Sequence, residues 1–563
     1  MTRLVRWQTL LAVIGILSVV GLLAHFSFTH EAAIIPARGG IYVEGMVGSP
    51  QLLNPLLATS DVDRSIVALL FEGLSSLQAD GTVRPALAQE WAISADGTVY
   101  TCTLRSDARW HDGQAILAED VLLTLDLVRS PQLPDPNHLA DLWSRVRVEA
   151  VDNRRLRFVL ERPYAPFLSY TTLPILPAHL LRGIPPSELP SSAFNLAPIG
   201  TGPFRFVRMA EETDGTLGLD LEANTDYYDP KRIPYLEGIH FRFYPDEAAL
   251  VKALREGEVE GAFGLSPAGL AQVAEQPDLV AYRTYLQAYT ILFLNTQSPI
   301  LADHRVRQAI VLGLDQNALL AELGTEVFPA NGPISPISWA YKADLPPFRH
   351  DPAEAALLLE EAGWIDLNRD GLRERDIRRL ELTLLTRDLP PDRLLLARRI
   401  EQQLAPLGIS VRVDVRSDAE QFRERIARRE YDLLLYGWGQ LGRDPDEFAL
   451  WHSSQIGYEG SNLSSFQNEE IDRLLEWGRL TVDRDQRTQA YWDFQELFMR
   501  EVPAIPLYYP VYVYVVHSRV RGITLEPLND LGDRFRRIDA WYLRTQKTMQ
   551  ERSRPAREYG GGR

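Results

Sequence analysis

The side chains best equipped for chemistry sit in one short stretch, GWGQLGRDPDEF at 437–448. Trp438 offers a flat face for stacking. Gly437, Gly439 and Gly442 let a bound group approach the backbone closely, and Asp444 and Asp446 supply negative charge. That equipment suits recognition more than catalysis. The competing reading is an ordinary glycine-rich turn whose tryptophan packs into the core. Asp444, Asp446 and Glu447 can be drawn as a carboxylate pair for glycoside hydrolysis, but spacing along one loop does not set two acids across a substrate. A second stretch, DLNRDGLRERD at 366–376, carries Asp366, Asn368, Asp370 and Gly371 in the first half of a calcium-loop pattern. Ile377 stands where that pattern needs a bidentate Glu, so a polar turn is the alternative. The ten histidines form neither H-x-x-x-H nor H-E-x-x-H. No G-x-S-x-G, phosphate loop or dinucleotide fingerprint falls where a strand and a helix would support it. The expectation is a protein that is not an enzyme, with no catalytic residue, catalytic metal or cofactor.

The elements around the first loop explain why it is a candidate. Leu380, Leu382 and Leu384 mark a strand, 392–406 a helix, and Ile409, Val411, Val413 and Val415 a second strand. A helix over 418–429 and an apolar strand over 431–437 follow. Strand–helix–strand at this spacing means parallel strands with right-handed crossovers. Ligands of open α/β sheets sit beyond the carboxyl ends of the strands, which is where 437–448 begins. Upstream, DHRVRQAIVLGLDQNALLAELG reads as a helical stretch capped by Asp303 and closed by Gly324. DPAEAALLLEEAG reads as another, with Asp351 as cap, Pro352 in its first turn and Gly363 after its end. Period-2 alternation marks strands at 98–105, 155–161 and 238–245. Cys102 falls within the first of these and reads as a small buried apolar residue.

The chain has 563 residues, 45% of them hydrophobic and 24% charged, with a net charge of −17 and one cysteine. This excludes a disordered chain, a disulfide scaffold and a cysteine-based zinc site. The acidic balance argues against a nucleic-acid partner. The length calls for more than one domain. Arg3 and Arg6 precede a stretch from Trp7 to His30 that lacks Asp, Glu, Lys and Arg. Its centre, TLLAVIGILSVVGLL, can cross a hydrocarbon core of about 30 Å as a helix. Arginines before it and Glu31 after it predict a cytoplasmic N-terminus and an exported body. No clean cleavage site or lipobox cysteine accompanies it, which favours an uncleaved signal anchor. The polar, basic stretch 544–563 reads as a disordered tail.

Eight strings carry a resemblance across the body. They are LFEGLSSLQADGTVRPALAQEW (70–91), LRSDARWHDGQAILAEDVLLTL (104–125), PIGTGPFRF (198–206), NTDYYDPKRIPYLEGI (224–239), FLNTQSPILADHRVRQAIVLGLD (293–315), DPAEAALLLEEAGW (351–364), YDLLLYGWGQLGRDPD (431–446) and EVPAIPLYYP (501–510). Their order and content resemble the extracytoplasmic solute-binding proteins of peptide/nickel-type ABC transporters, which include dipeptide- and oligopeptide-binding proteins. The resemblance implies an α/β two-lobed periplasmic-binding-protein clamp with an appended subdomain, here with an N-terminal transmembrane anchor at 1–37. The first lobe would comprise 38–75, 196–285 and 505–543, with 76–195 as its appended subdomain and 286–504 as the second lobe. Hinge crossings would lie near 286–292 and 500–508. The short motifs HDG (111–113), GTGP (200–203) and AGW (362–364) would be turns and lobe packing.

The resemblance also implies partners and site residues. The partners would be a small solute (a peptide or similar) and an ABC permease, with the membrane reached through the N-terminal helix, no nucleic acid, and a monomeric state. The body would be extracytoplasmic. Ligand contacts would come from Gly48, Ser49, Pro50 and Gln51 in the first lobe and from Trp438, Gly439, Gln440, Leu441 and Asp444 in the second. Peptide binders of this family place an aspartate three residues after the tryptophan to pair with the peptide's amino group. Leu441 occupies that position here and cannot pair with an ammonium. An uncompensated buried amine costs several kcal/mol. A sugar, a metal chelate or another solute is then as admissible a ligand as a peptide, and a solute sensor or scaffold is the alternative to a transport receptor.

Overall fold

The computed structural model describes residues 15–18, 20, 30–135, 139–323, 327–439 and 444–551. Its backbone is a single twelve-stranded sheet shared by two lobes. One long strand, Ala504–His517, runs through both. Its first half pairs with Ala288–Leu294, through Phe293↔Ala504 and Thr290↔Tyr508. Its second half pairs with Leu279–Tyr285, through Tyr285↔Val511 and Leu279↔His517. The sequence AIPLYYPVYVYVVH suits this length, because β-branched and aromatic residues fill both pleated faces. The partner strand therefore switches lobes at Leu286 and Gln287 and the long strand between Tyr508 and Val511, a double crossing close to the one anticipated.

In the first lobe Ile41–Val47 pairs in parallel with Gly238–Tyr244, and Leu217–Ala223 and Phe204–Glu211 extend the sheet antiparallel. Tyr42, Met46, Ile239, Phe241, Tyr514 and Trp541 form its core. Beneath them lies an ion pair with both side chains fully buried, Arg534 Nη2 to Glu44 Oε1 at 3.0 Å. Burial of two charges is tolerable only because Ser65, Tyr42 and Tyr514 complete the hydrogen bonding.

The subdomain has its own four-stranded antiparallel sheet, in the order Ala88–Ile93, Val99–Leu104, Arg155–Val159, Arg147–Ala150. Cys102 is fully buried there, and burial pushes its thiol up to about 12, which leaves it unreactive. His111 ties the subdomain to the first lobe. Its Nδ1 accepts from the Gly200 N–H, and its Nε2 faces the Gly202 carbonyl, both at 3.1 Å. Burial lowers this imidazole to about 4, so it is neutral and carries its proton on Nε2. Gly200 itself cannot change, since a Cβ there would lie 1.8 Å from the Leu70 carbonyl oxygen. The HDG and GTGP motifs are thus one packing joint.

The second lobe contains the expected parallel unit. Glu381–Thr386 is central, paired in parallel with Ser410–Val415 on one side and Leu433–Gly439 on the other. Pro391–Leu404 and Ala419–Ala427 are the crossover helices. Asp303 and Asp351 cap helices as expected. The stretch from Asp303 is broken into His304–Gly313 and Gln316–Ala321, because Asp315 caps a second helix. Gly324 lies outside the described residues.

Two expectations about the ends need comment. Arg544–Glu551, the start of the stretch read as a disordered tail, is a strand. It pairs antiparallel with His30–Ala37, from Ala37↔Arg544 to His30↔Glu551. The tail reading failed there because the pairing is non-local and β-propensity registers only once a partner strand is present. The apolar span expected from Trp7 onward falls mostly outside the described residues. Among the described residues no helix is long and apolar enough to cross a membrane.

Candidate functional site

The carboxyl ends of the second lobe's strands face the double crossing. There, Gly439 pairs with Ala288 and Trp438 with Tyr289, one residue beyond the crossing at Gln287. A cavity opens between the lobes at this level. It is lined by Gln78 and Gly81 from the subdomain, Asn529 from the first lobe, Gln287 from the crossing, and Trp339 and Pro445 from the second lobe. Gly81 has φ +73, and a Cβ there would sit 3.2 Å from the Trp339 ring, so the tip of the Ser75–Leu77/Val83–Pro85 hairpin closes down onto that ring.

The anticipated residues are distributed as follows. Gly48, Ser49, Pro50 and Gln51 follow Ile41–Val47 at its carboxyl end. Gly48 takes φ +98 and donates to the Tyr244 carbonyl at 2.9 Å, while the Gln51 N–H donates to Asp63 Oδ1 at 2.7 Å. They are not among the lining residues of the cavity. Trp438 and Gly439 end the last parallel strand beside the crossing. Gln440 and Leu441 lie outside the described residues.

Asp444 is engaged by Arg487 of the helix Arg484–Glu501, in a two-point pair whose longer bond, Nη1 to Oδ2, is 3.0 Å. Burial pushes the Asp444 carboxyl up, and Arg487 works against that rise. Burial likewise opposes the charge on Arg487, but Asp444 more than offsets it, and the guanidinium is held above its usual range. Arg487 Nε also donates to the Gly478 carbonyl at 2.7 Å. In this arrangement the carboxylate of Asp444 is committed to holding the chain where it leaves the loop.

Two residues on, Asp446 bridges the lobes. Arg479 Nε lies 2.8 and 2.9 Å from its two oxygens, and Tyr164 of the subdomain donates to it at 3.4 Å. The Ala165 N–H adds a backbone bond to the Arg479 carbonyl at 2.8 Å, and the Arg479 guanidinium stacks on Phe448 and Tyr164. Glu447, between these contacts and the core, is buried with only Trp451 Nε1 as a hydrogen-bond donor. Burial, then the nearby Asp446 charge, raise it to about 8.

Sequence reasoning located the loop but missed Arg487, Arg479, Tyr164 and Trp339. These approach from 33 to 282 positions away, and no local spacing announces them. In the acidic stretch at 366–376, Asp366, Asp370 and Glu374 each present a carboxylate oxygen within 4.8 Å of the others, the one such group among the described residues. Arg379 already pairs with Asp370 at 3.1 Å.

Two lobes joined by a double strand crossing, with a cavity lined from both sides and from the crossing itself, define a periplasmic-binding-protein clamp. Residues 82–459 match the family described as bacterial extracellular solute-binding proteins, family 5 Middle, and the chain belongs to that family. It is 28% identical over 526 residues to the oligopeptide-binding protein AppA of Bacillus subtilis, covering 92% of this chain and 94% of that protein. The structure of that AppA in complex with a nonapeptide aligns with a TM-score of 0.69 at 27% identity, over 91% of this chain and all of the other. NikZ from Campylobacter jejuni in complex with Ni(L-His) aligns with a TM-score of 0.69 at 26% identity, covering 89% of this chain and 99% of that one. The chain is therefore a solute-binding protein of the ABC-transporter type for peptides or related ligands.

Proposed function

We propose that this protein captures a peptide or peptide-like solute outside the cytoplasm and hands it to an ABC permease while its own N-terminal helix holds it at the membrane. The observation that carries the reading is the cavity lined by Gln78, Gln287, Trp339 and Asn529, since it draws on both lobes and on the crossing between them. A cavity built this way exists only when the lobes are together, so binding and closure are linked. The stretch Trp7 to His30 supports the tether. The lobes are divided at 38–75, 196–285 and 505–543, at 76–195, and at 286–504. Gly48–Gln51 flank the cleft from the first lobe, and Trp438–Leu441 meet the solute from the second. The body works as a monomer. Relatives that hold a nonapeptide or Ni(L-His), together with Leu441, keep metal chelates and other non-peptide solutes within the ligand class. A sensor or scaffold built on the same clamp is the second reading.

The test is small-angle scattering of the purified full chain in detergent, with and without short peptides, oligopeptides, sugars and metal–histidine chelates. Binding is expected to reduce the radius of gyration of the body. No contraction with any of these ligands would refute the receptor reading. Uptake of the identified solute by a deletion strain separates the two roles, since loss of a pure sensor leaves initial uptake unchanged.

A further inference from the structure

Arg393 is the exception among this protein's arginines. Among the described residues, every other arginine that is not solvent-exposed makes an ion pair or donates a guanidinium hydrogen bond. Arg393 does neither. Its Nε is buried without a partner, and its two terminal nitrogens bond to nothing else in the protein. It is nonetheless held in place. A Cβ on Gly437 would lie 2.2 Å from Arg393 Nη2, so the glycine leaves room for the guanidinium to lie against the strand. The ring of Tyr436 lies 5.6 Å from the guanidinium carbon. The neighbouring Asp392 is occupied elsewhere, accepting from the Tyr508 hydroxyl at 2.5 Å and from the Arg393 N–H at 3.0 Å.

The location gives this a direction. Arg393 stands in the first turn of Pro391–Leu404, at the carboxyl end of the parallel unit. It lies against Gly437, which pairs with Thr290 of the strand leaving the crossing. Tyr508, which bonds Asp392, sits on the other side of the same crossing and pairs with Thr290 as well. A partly desolvated guanidinium fixed by packing, with its donors unspent at the ligand edge of an α/β sheet, is poised for a two-point bond to a planar anion. Leaving it unpaired carries a desolvation cost that an incoming anion removes.

We propose that Arg393 is a specificity-determining residue that receives a carboxylate of the solute, so that this receptor selects ligands carrying a free carboxylate. This rests on the reading of the cleft as the solute site. The test uses matched acids and carboxamides, namely trialanine, N-acetyl-trialanine and succinate against their amides, titrated calorimetrically into the full-chain protein and its R393Q and R393K variants. In the wild type the acid of a bound pair is expected to bind 10- to 100-fold more tightly than its amide, the worth of a charge-assisted hydrogen bond. R393Q is expected to bind both members equally at the amide's affinity, and R393K to recover part of the preference. Melting curves matching the wild type exclude misfolding as the cause. Equal binding of acid and amide by the wild type, or an acid preference that survives in R393Q, overturns the assignment and leaves the receptor reading standing. Failure of every pair to bind the wild type overturns both.

Discussion

Replacing Asp444 by Asn separates a structural carboxylate from a ligand-binding one. The Asp444 side chain is 13% exposed and that of Arg487 7%, so the substitution strands a nearly buried guanidinium. Removing one partner of a buried pair costs roughly 3–5 kcal/mol. Two things survive here to soften that cost, the Arg487 Nε bond to Gly478 and the packing of its guanidinium 5.1 Å above Trp339. The expected loss is therefore about 2–4 kcal/mol. At roughly 2–4 °C per kcal/mol for a lobe of this size, the second lobe's transition should fall by about 5–15 °C. Differential scanning calorimetry of the full chain reads this, with the first lobe as an internal reference. A D444N/R487M double variant should be less destabilised than the two single losses summed, by at least about 1.5 kcal/mol. Solute affinity measured well below the transition should change less than threefold. A transition moved by under about 1 °C, combined with affinity lost tenfold or more, would refute the argument and make Asp444 a ligand contact.

Four further outcomes follow from the geometry. Glu447 is raised to about 8 from an ordinary 4.5. The folded chain therefore keeps its proton where the unfolded chain has lost it, and its contribution to stability declines as pH rises between those values. At about 1.4 kcal/mol per pH unit the whole window is worth up to roughly 4 kcal/mol, and E447Q should flatten that decline in urea titrations from pH 5 to 8.5. R534M should destabilise the first lobe by about 3–5 kcal/mol by leaving the fully buried Glu44 unpaired, and R534M/E44L should restore most of the loss in the same unfolding assay. G200A should cost about 3 kcal/mol or prevent accumulation of folded protein, because its Cβ meets the Leu70 carbonyl. Y164A removes the ring beneath Arg479 and the bond to Asp446, and the ligand-free body should scatter with a larger radius of gyration while its melting temperature stays within a few degrees.

What the sequence disclosed divides along physical lines. The parallel unit was legible because Leu382, Leu384, Val411 and Val413 repeat with period 2 between helical stretches, and a crossover of that length permits only one hand. Asp303 and Asp351 were legible because an N-cap is a local bond between one side chain and a backbone N–H within three residues. The strand Arg544–Glu551 was not legible, since RTQKTMQE has no apolar alternation and its partner lies some 500 positions earlier. Within the site, Trp438 and Gly439 could be placed because they end a strand. The pairing of Asp444 with Arg487 could not, because it is set by how one helix docks. Arg393 was passed over for a related reason. In sequence it is one of many arginines, and only the packed structure shows that its guanidinium is the unspent one.

The arrangement around 438–446 shows how solute can be felt by both lobes without a dedicated signalling element. The loop enters from a strand paired at Gly439 with Ala288, immediately beside the crossing at Gln287. It leaves through Asp444, fixed to the second lobe by Arg487, and then through Asp446, which contacts Tyr164 of the subdomain. A solute that pulls on this loop therefore acts between a fixed point at the hinge and a contact at the far rim of the cleft. Closure at the rim uses one backbone bond, from Ala165 to Arg479, and one partly buried charge pair that is already complete within the second lobe. Opening breaks the former and the Tyr164 contact but strands no charge. Its cost is then of the order of one or two hydrogen bonds, about 1–3 kcal/mol. A solute worth more than that on closing shifts the population decisively, and one worth less leaves the clamp open.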